Sequence, residues 1–223
     1  MHPISTARAG LPTEPAVRIG ICAAPRTGPT EPATLEPATR APQRPAVFLD
    51  RDGVLNENRA DYVRTWEQVV ILPGVLAAMQ RLAASPLIVV VVTNQSAVGR
   101  GLMDAATLAG IHHSLVDLVQ RAGGRIDAIY ACPHAPEAGC TCRKPQPGLL
   151  LHAARELGID LARSYLVGDA VSDMQAALAA GCQPILVRTG RGEKQMGRLA
   201  ASGLSHLPVA ADLAEAVDWI LGA

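Results

Sequence analysis

Leu87 to Val92 is an unbroken apolar run, rich in β-branched side chains, that ends at Thr93 and Asn94. A strand with one wet face alternates apolar and polar residues. An unbroken one is covered on both faces, the condition of a parallel sheet flanked by helices. The run is far shorter than the roughly 20 residues that span a bilayer. Shorter apolar segments at 46–49, 128–131, 165–167 and 185–187 read as further strands. Helical periodicity lies between them, over 74–84, 104–122, 147–157, 172–180 and 210–221. This alternation predicts right-handed βαβ units: a doubly wound, Rossmann-like α/β fold around a parallel sheet of about five or six strands. In such sheets ligands bind beyond the C-terminal strand ends, so residues with chemistry to do should follow strands.

The N-terminal fifth departs from this pattern. Nine of the 17 prolines lie in residues 1–45, and none of the six aromatic residues does. Such a segment buries too little apolar surface to offset its ordering entropy, so a disordered tail is expected over 1–45, followed by one domain over 46–223. The tail lacks the charged start and apolar stretch of a secretory signal. The remaining 178 residues carry 17 acids and 15 bases, a formal charge of −2. A nucleic-acid binder needs a positive excess, so no nucleic acid is expected as a partner, nor a membrane, and the chain is expected to act as a monomer in the cytoplasm.

Four motifs carry chemistry. Asp50-Arg51-Asp52-Gly53 follows the first strand: one carboxylate can attack an electrophile while the other handles a proton. Taken alone it is equally an acidic turn. Thr93-Asn94-Gln95-Ser96 follows the second strand and offers a hydroxyl and backbone N–H groups to an oxyanion, or simply caps a helix. Arg143-Lys144-Pro145 precedes a helix and places an ammonium where it could neutralise phosphoryl charge. Gly168-Asp169 with Ser172-Asp173 follows a later strand. Its two carboxylates suit Mg²⁺, or the start of a helix.

A fifth constellation is Cys132-x-His134-x₅-Cys140-x-Cys142. Three thiolates and one imidazole make a closed four-ligand set, as in structural zinc sites, with no position left for a catalytic water. The odd cysteine count of five and the tight clustering favour a metal in a reducing compartment over disulfides. The zinc loop ends immediately before Arg143. Cys182, His112 and His113 read as ordinary packing or surface residues.

The order and spelling of the four motifs resemble the haloacid dehalogenase superfamily of phosphohydrolases, over residues 46–191. Within it, the pieces DRDGVLNEN, VVTNQSAVGRG, CPHAPEAGCTCRKPQPG and VGDAVSDMQAA are similar to the branch of heptose bisphosphate and histidinol phosphate phosphatases. The resemblance implies that Asp50 attacks phosphorus and forms an aspartyl phosphate, with Asp52 as acid and then base. It implies Mg²⁺ on Asp50, the Asp52 carbonyl and Asp169, supported by Asp173, and phosphoryl oxygens held by Thr93 and Lys144. Arg143 resembles a substrate-recognition arginine. Asn56, Asn58, Tyr62, Asn94, Gln95, Ser96 and Arg100 become candidate sugar contacts. The family often has a lysine where Ala170 stands here. About 40 residues separate the first two motifs, too few for a large cap. The expected reaction is Mg²⁺-dependent removal of the 7-phosphate of a heptose bisphosphate. Histidinol phosphate hydrolysis is the runner-up, ahead of non-catalytic phosphosugar binding.

Overall fold

The computed structural model describes residues 17–22 and 43–222. Chain order is β1 (Arg18–Ile21), β2 (Ala46–Leu49), α1 (Val75–Ala83), β3 (Ile88–Asn94), α2 (Ser96–Gly99), α3 (Ala105–Arg121), β4 (Ala128–Cys132), α4 (Gly148–Leu157), β5 (Tyr165–Gly168), α5 (Val171–Ala180), β6 (Gln183–Val187), α6 (Gly192–Ala201), β7 (Val209–Ala210) and α7 (Leu213–Leu221). The strands form one seven-stranded sheet in the order β1-β4-β3-β2-β5-β6-β7, parallel throughout.

Both faces of the sheet are covered, as the unbroken β3 run requires. Val47, Leu49, Val89 and Val91 face α1, α3 and α7, whose core residues include Met79, Leu82, Leu115, Val119 and Val217. Ala46, Phe48, Val90 and Val92 face α4 and α5 through Leu149, Leu150, Ala153, Ala176 and Ala177. Helix α3 starts where Asp104 accepts a hydrogen bond from the Thr107 amide at 2.6 Å, an N-cap that satisfies one orphan donor of the first turn. Between β2 and β3 the chain forms a tight turn, a loop with one 3-10 turn at Trp66–Gln68, and α1, with no separate cap domain.

The expectation of disorder over 1–45 fails at β1. Arg18–Ile21 pairs with Ala128–Ala131 along the edge of β4, and Cys22 N–H continues the ladder to the Ala131 carbonyl at 2.9 Å. Ile19 and Ile21 pack on core clusters, so the segment gains apolar burial as well as backbone pairing. Pairing to an existing edge offsets the ordering entropy that composition alone says the segment cannot meet. The rest of the expected tail lies outside the described residues, apart from 43–45. Strand β7 and helix α6 were also not expected. No helix among the described residues is long and apolar enough to cross a membrane.

Candidate active site

Strand register brings the motif-bearing ends level. Leu49 sits opposite Val91 of β3 and Val167 of β5, so Asp50 leaves the sheet beside Val92 and Gly168. Thr93 is the penultimate residue of β3, and Asp169 follows β5. The residues converge on a cavity of about 430 Å³ lined by Asp50, Asp52, Thr93, Lys144, Asp169 and Asp173, among others. A larger, more apolar hollow of about 810 Å³ lies against α4 and shares no lining residue with it. The charged groups decide between them: the chemistry belongs in the smaller one.

Lys144 organises the centre. Its ammonium is buried and donates to Asp50 Oδ1 at 2.9 Å, Asp173 Oδ1 at 2.7 Å and the Val92 carbonyl at 2.8 Å. Burial alone would discharge it, but Asp173 and Asp50 outweigh that and hold its pKa above the usual lysine value. Asp173 also accepts from the Ala170 amide at 3.1 Å, at the start of α5. Burial pushes Asp50 up to about 7, against the pull of Lys144 and with added repulsion from Asp173, Asp169 and Asp52. Burial likewise raises Asp169 to about 6, although it accepts from the Arg191 amide at 2.8 Å and from Asn58.

Asp50, Asp169 and Asp173 each offer an oxygen within one 4.8 Å cluster. Three carboxylates against one ammonium leave two negative charges, the complement of a divalent cation. An all-oxygen donor set is what Mg²⁺ selects. The residues therefore fit the ion.

Asp52 is built differently. Its Oδ1 accepts from Arg51 Nε at 3.1 Å, Arg51 Nη2 at 2.9 Å and Asn56 Nδ2 at 2.8 Å. Its Oδ2 accepts from Arg51 Nη2 at 2.9 Å and Gln95 Nε2 at 2.8 Å. Burial alone would raise its pKa. The Arg51 charge and these hydrogen bonds override burial and hold the carboxyl below the usual range.

Gly53 makes the turn possible. It has φ +94°, and a Cβ there would lie 1.9 Å from Asp169 Oδ2. The loop after β6 closes on the same turn: Thr189 Oγ1 donates to the Gly53 carbonyl at 2.7 Å, and a Cβ on Gly190 would meet Asp169 and the Gly53 backbone. Sequence reasoning missed this Thr189–Arg191 clamp, because it follows a strand but carries no acid or nucleophile.

Several expected sugar contacts are placed otherwise. Asn56 is fully buried and donates to Asp52 and the Glu57 carbonyl. Gln95 is buried and donates to Asp52 and Thr93 Oγ1, both at 2.8 Å. Both amides are turned to Asp52 and away from the cavity, and with Arg51 they meet the lone pairs of its half-buried carboxylate. Asn94 does line the cavity, but both ends of its amide hold the Lys144 backbone at 3.1 Å. Arg100 lies outside the cavity lining and pairs with Glu137 at 3.2 Å in solvent. Asn58, Tyr62, Ser96 and Arg143 line the cavity, as does Arg59 of the same Asn58–Tyr62 loop.

The cysteine cluster is equally compact. Sulfur–sulfur separations among Cys132, Cys140 and Cys142 run from 3.4 to 3.6 Å, and His134 Nδ1 lies 3.5 and 3.3 Å from Cys132 and Cys142. The edges of a tetrahedron around an ion with about 2.3 Å metal–sulfur bonds are of this size. Hydrogen bonds from Cys142 and His134 hold Cys132 down at about 5, against its burial.

Comparison with known proteins agrees with this geometry. A HAD-hydrolase-like family model matches residues 141–216. The D-glycero-beta-D-manno-heptose-1,7-bisphosphate 7-phosphatase of Bordetella bronchiseptica is 44% identical over 176 residues, 78% of this chain and 97% of that one. The chain belongs to this phosphatase family, within the haloacid dehalogenase-like hydrolases. The enzyme of the same name from Pseudomonas aeruginosa is 41% identical over 72% of this chain and 90% of its own. A solved D,D-heptose 1,7-bisphosphate phosphatase from B. bronchiseptica, complexed with magnesium and phosphate, has a TM-score of 0.75 at 44% identity. It covers 80% of this chain and 98% of that one. The Burkholderia thailandensis structure of the same family has a TM-score of 0.62 at 37% identity, over 81% and 100% of the two chains.

Proposed function

We propose that this phosphatase removes the 7-phosphate of D-glycero-β-D-manno-heptose 1,7-bisphosphate. The observation that carries the reading is the convergence of Asp50, Lys144, Asp169 and Asp173 at the C-terminal sheet edge, in a chain whose family members bear that name. The β anomer is taken from those relatives.

Asp50 attacks phosphorus through a carboxylate oxygen, the bond to the sugar oxygen breaks, and Asp52 delivers a proton to that oxygen. Substrate phosphate beside Asp52 opposes the depression of its pKa and lets it carry that proton. Asp52 then takes a proton from the water that attacks the aspartyl phosphate, releasing inorganic phosphate and restoring Asp50. Lys144 and Thr93 neutralise and hold the phosphoryl oxygens. Asp50, Asp169 and the Asp52 carbonyl would hold Mg²⁺, with Asp173 in support. When bound, the ion offsets the repulsion between an anionic nucleophile and an anionic phosphate. Arg143 and the Asn58–Tyr62 loop are placed to grip the part of the sugar that does not react, since no cap encloses it.

We further propose that zinc occupies the Cys132, His134, Cys140 and Cys142 cluster as a structural ion. Residues 46–223 form one catalytic domain, with β1 joined to its sheet edge, acting as a monomer in the cytoplasm. All the groups named come from one chain, and the thiol cluster needs a reducing compartment. A core charge of −2 supports a small phosphosugar over nucleic acid.

The test is a phosphate-release panel with both heptose bisphosphate anomers, histidinol phosphate and simple sugar phosphates. The β bisphosphate should give the highest kcat/KM. Faster turnover of histidinol phosphate would overturn the assignment.

A further inference from the structure

Helix α3 carries an unusual residue on its core stripe. Leu108, Ile111, His112, Leu115, Val116 and Val119 are all buried, and His112 is fully so. Its Nε2 accepts a hydrogen bond from Arg51 Nη1 at 3.2 Å, while its Nδ1 is buried with no partner. Accepting at Nε2 leaves the ring proton on Nδ1 and the imidazole neutral. Burial and the adjacent Arg51 charge keep it so, pushing the imidazole down to about 3. Leaving Nδ1–H unpaired has a cost of its own. An apolar residue would fill this stripe without that cost, but it would leave Arg51 Nη1 without its acceptor.

Arg51 is fully buried, and its guanidinium is planar. The Nε–Nη2 edge holds Asp52, and the opposite Nη1 corner holds His112. Two contacts on opposite sides of a rigid plane fix its rotation as one cannot. The plane in turn sets the direction of the Asp52 carboxylate, which must meet the departing sugar oxygen.

We propose that His112 is a positioning residue for the acid step: acting through Arg51, it aims Asp52 at the leaving group. This rests on the phosphatase reading, but not on which phosphosugar is the substrate. The residue is 61 positions from Arg51 and touches no reacting atom.

The proposal predicts a loss that depends on the leaving group. Activated aryl phosphates, whose phenolates depart without a proton, need no aimed acid; alkyl and sugar phosphates do. Misaiming a catalytic group by a fraction of an ångström to 1 Å costs up to about a hundredfold. In H112L, kcat/KM should fall about 10- to 100-fold for sugar phosphates and less than about threefold for p-nitrophenyl phosphate. H112Q, whose amide oxygen can accept from Arg51 Nη1, should recover most of that loss. A series of aryl phosphates of graded leaving-group pKa should show a steeper dependence in H112L than in wild type. If H112L unfolds, the same series read on H112Q against H112N and R51K decides. Equal loss across all leaving groups marks His112 as purely structural and overturns the proposal, as does an unchanged sugar phosphate rate. The series uses no heptose, so failure of the substrate assignment appears separately, in the substrate panel.

Discussion

Asp50 and Asp52 stand two residues apart in opposite surroundings. Asp50 is raised towards 7 by burial among other acids, and Asp52 is held down by Arg51, Asn56 and Gln95. Environments that push two carboxyls apart mark separate roles. Asp50→Asn should cut phosphate release by about a thousandfold or more while the unfolding transition stays cooperative, since an amide cannot attack phosphorus. A residual rate near a tenth of wild type would remove Asp50 as nucleophile. In kcat/KM, which reports formation of the aspartyl phosphate and not its hydrolysis, Asp52→Asn should be severe for sugar phosphates and milder for p-nitrophenyl phosphate, and equal losses would count against an acid role. The acids themselves were legible in the sequence, because each follows an apolar strand and parallel sheets put strand ends together. What surrounds them was less so. Gln95 and Asn56 carry the polarity of sugar ligands, and only the fold reveals that their amides turn inward to Asp52. His112 was hidden for a related reason: a histidine on an apolar helical stripe gives no sign of a partner 61 residues away.

Two elements take roles that their sequences show unequally. The loop from Cys132 to Cys142 has almost no regular structure, and its cluster stands directly before Arg143 and Lys144. Its spacing was legible because metal geometry restricts ligands to few patterns. Cys142→Ser should lower Tm by roughly 5–10 °C, the scale of losing a few kcal/mol in a domain of this size, with activity falling as Lys144 loses its support. Purified protein without zinc, or a variant matching wild type in Tm, would count against a zinc site. Strand β1 was illegible, since four residues of RIGI inside a proline-rich stretch have no periodicity of their own. Its order comes from the free edge of β4, a long-range partner that local patterning does not report. Removing residues 1–22 should expose that edge and the apolar surface under Ile19 and Ile21. A loss of about 2 kcal/mol in denaturant unfolding is expected from half-burying two isoleucines, with more light scattering on heating. Unchanged stability and scattering would show that β1 adds nothing to the sheet.

The whole molecule gathers more negative charge at one sheet edge than it neutralises, and this couples its stability to magnesium and pH. Asp50 near 7 and Asp169 near 6 both lie above the ordinary 3.8 of an aspartate. A carboxyl raised by folding favours the folded state in its protonated form. Its contribution is complete below about pH 4 and is lost as pH rises through 6 and 7. On this account the Mg²⁺-free protein weakens from pH 5 to pH 8. The ion should act in the other direction. It binds the ionised carboxylates, so protons compete with it at pH 5 and hardly at pH 8. Saturating Mg²⁺ returned to protein freed of it by gel filtration, without chelators that would strip the cysteine cluster, should therefore raise Tm more at pH 8 than at pH 5. Its apparent affinity should fall by up to about tenfold per pH unit below pH 6 for each carboxyl that must give up a proton. Phosphate release at fixed, subsaturating Mg²⁺ should show the same acid limb and recover when Mg²⁺ is increased. Equal Tm increments at the two pH values, or an acid limb that no amount of Mg²⁺ moves, would place the titration elsewhere than on the metal-holding acids.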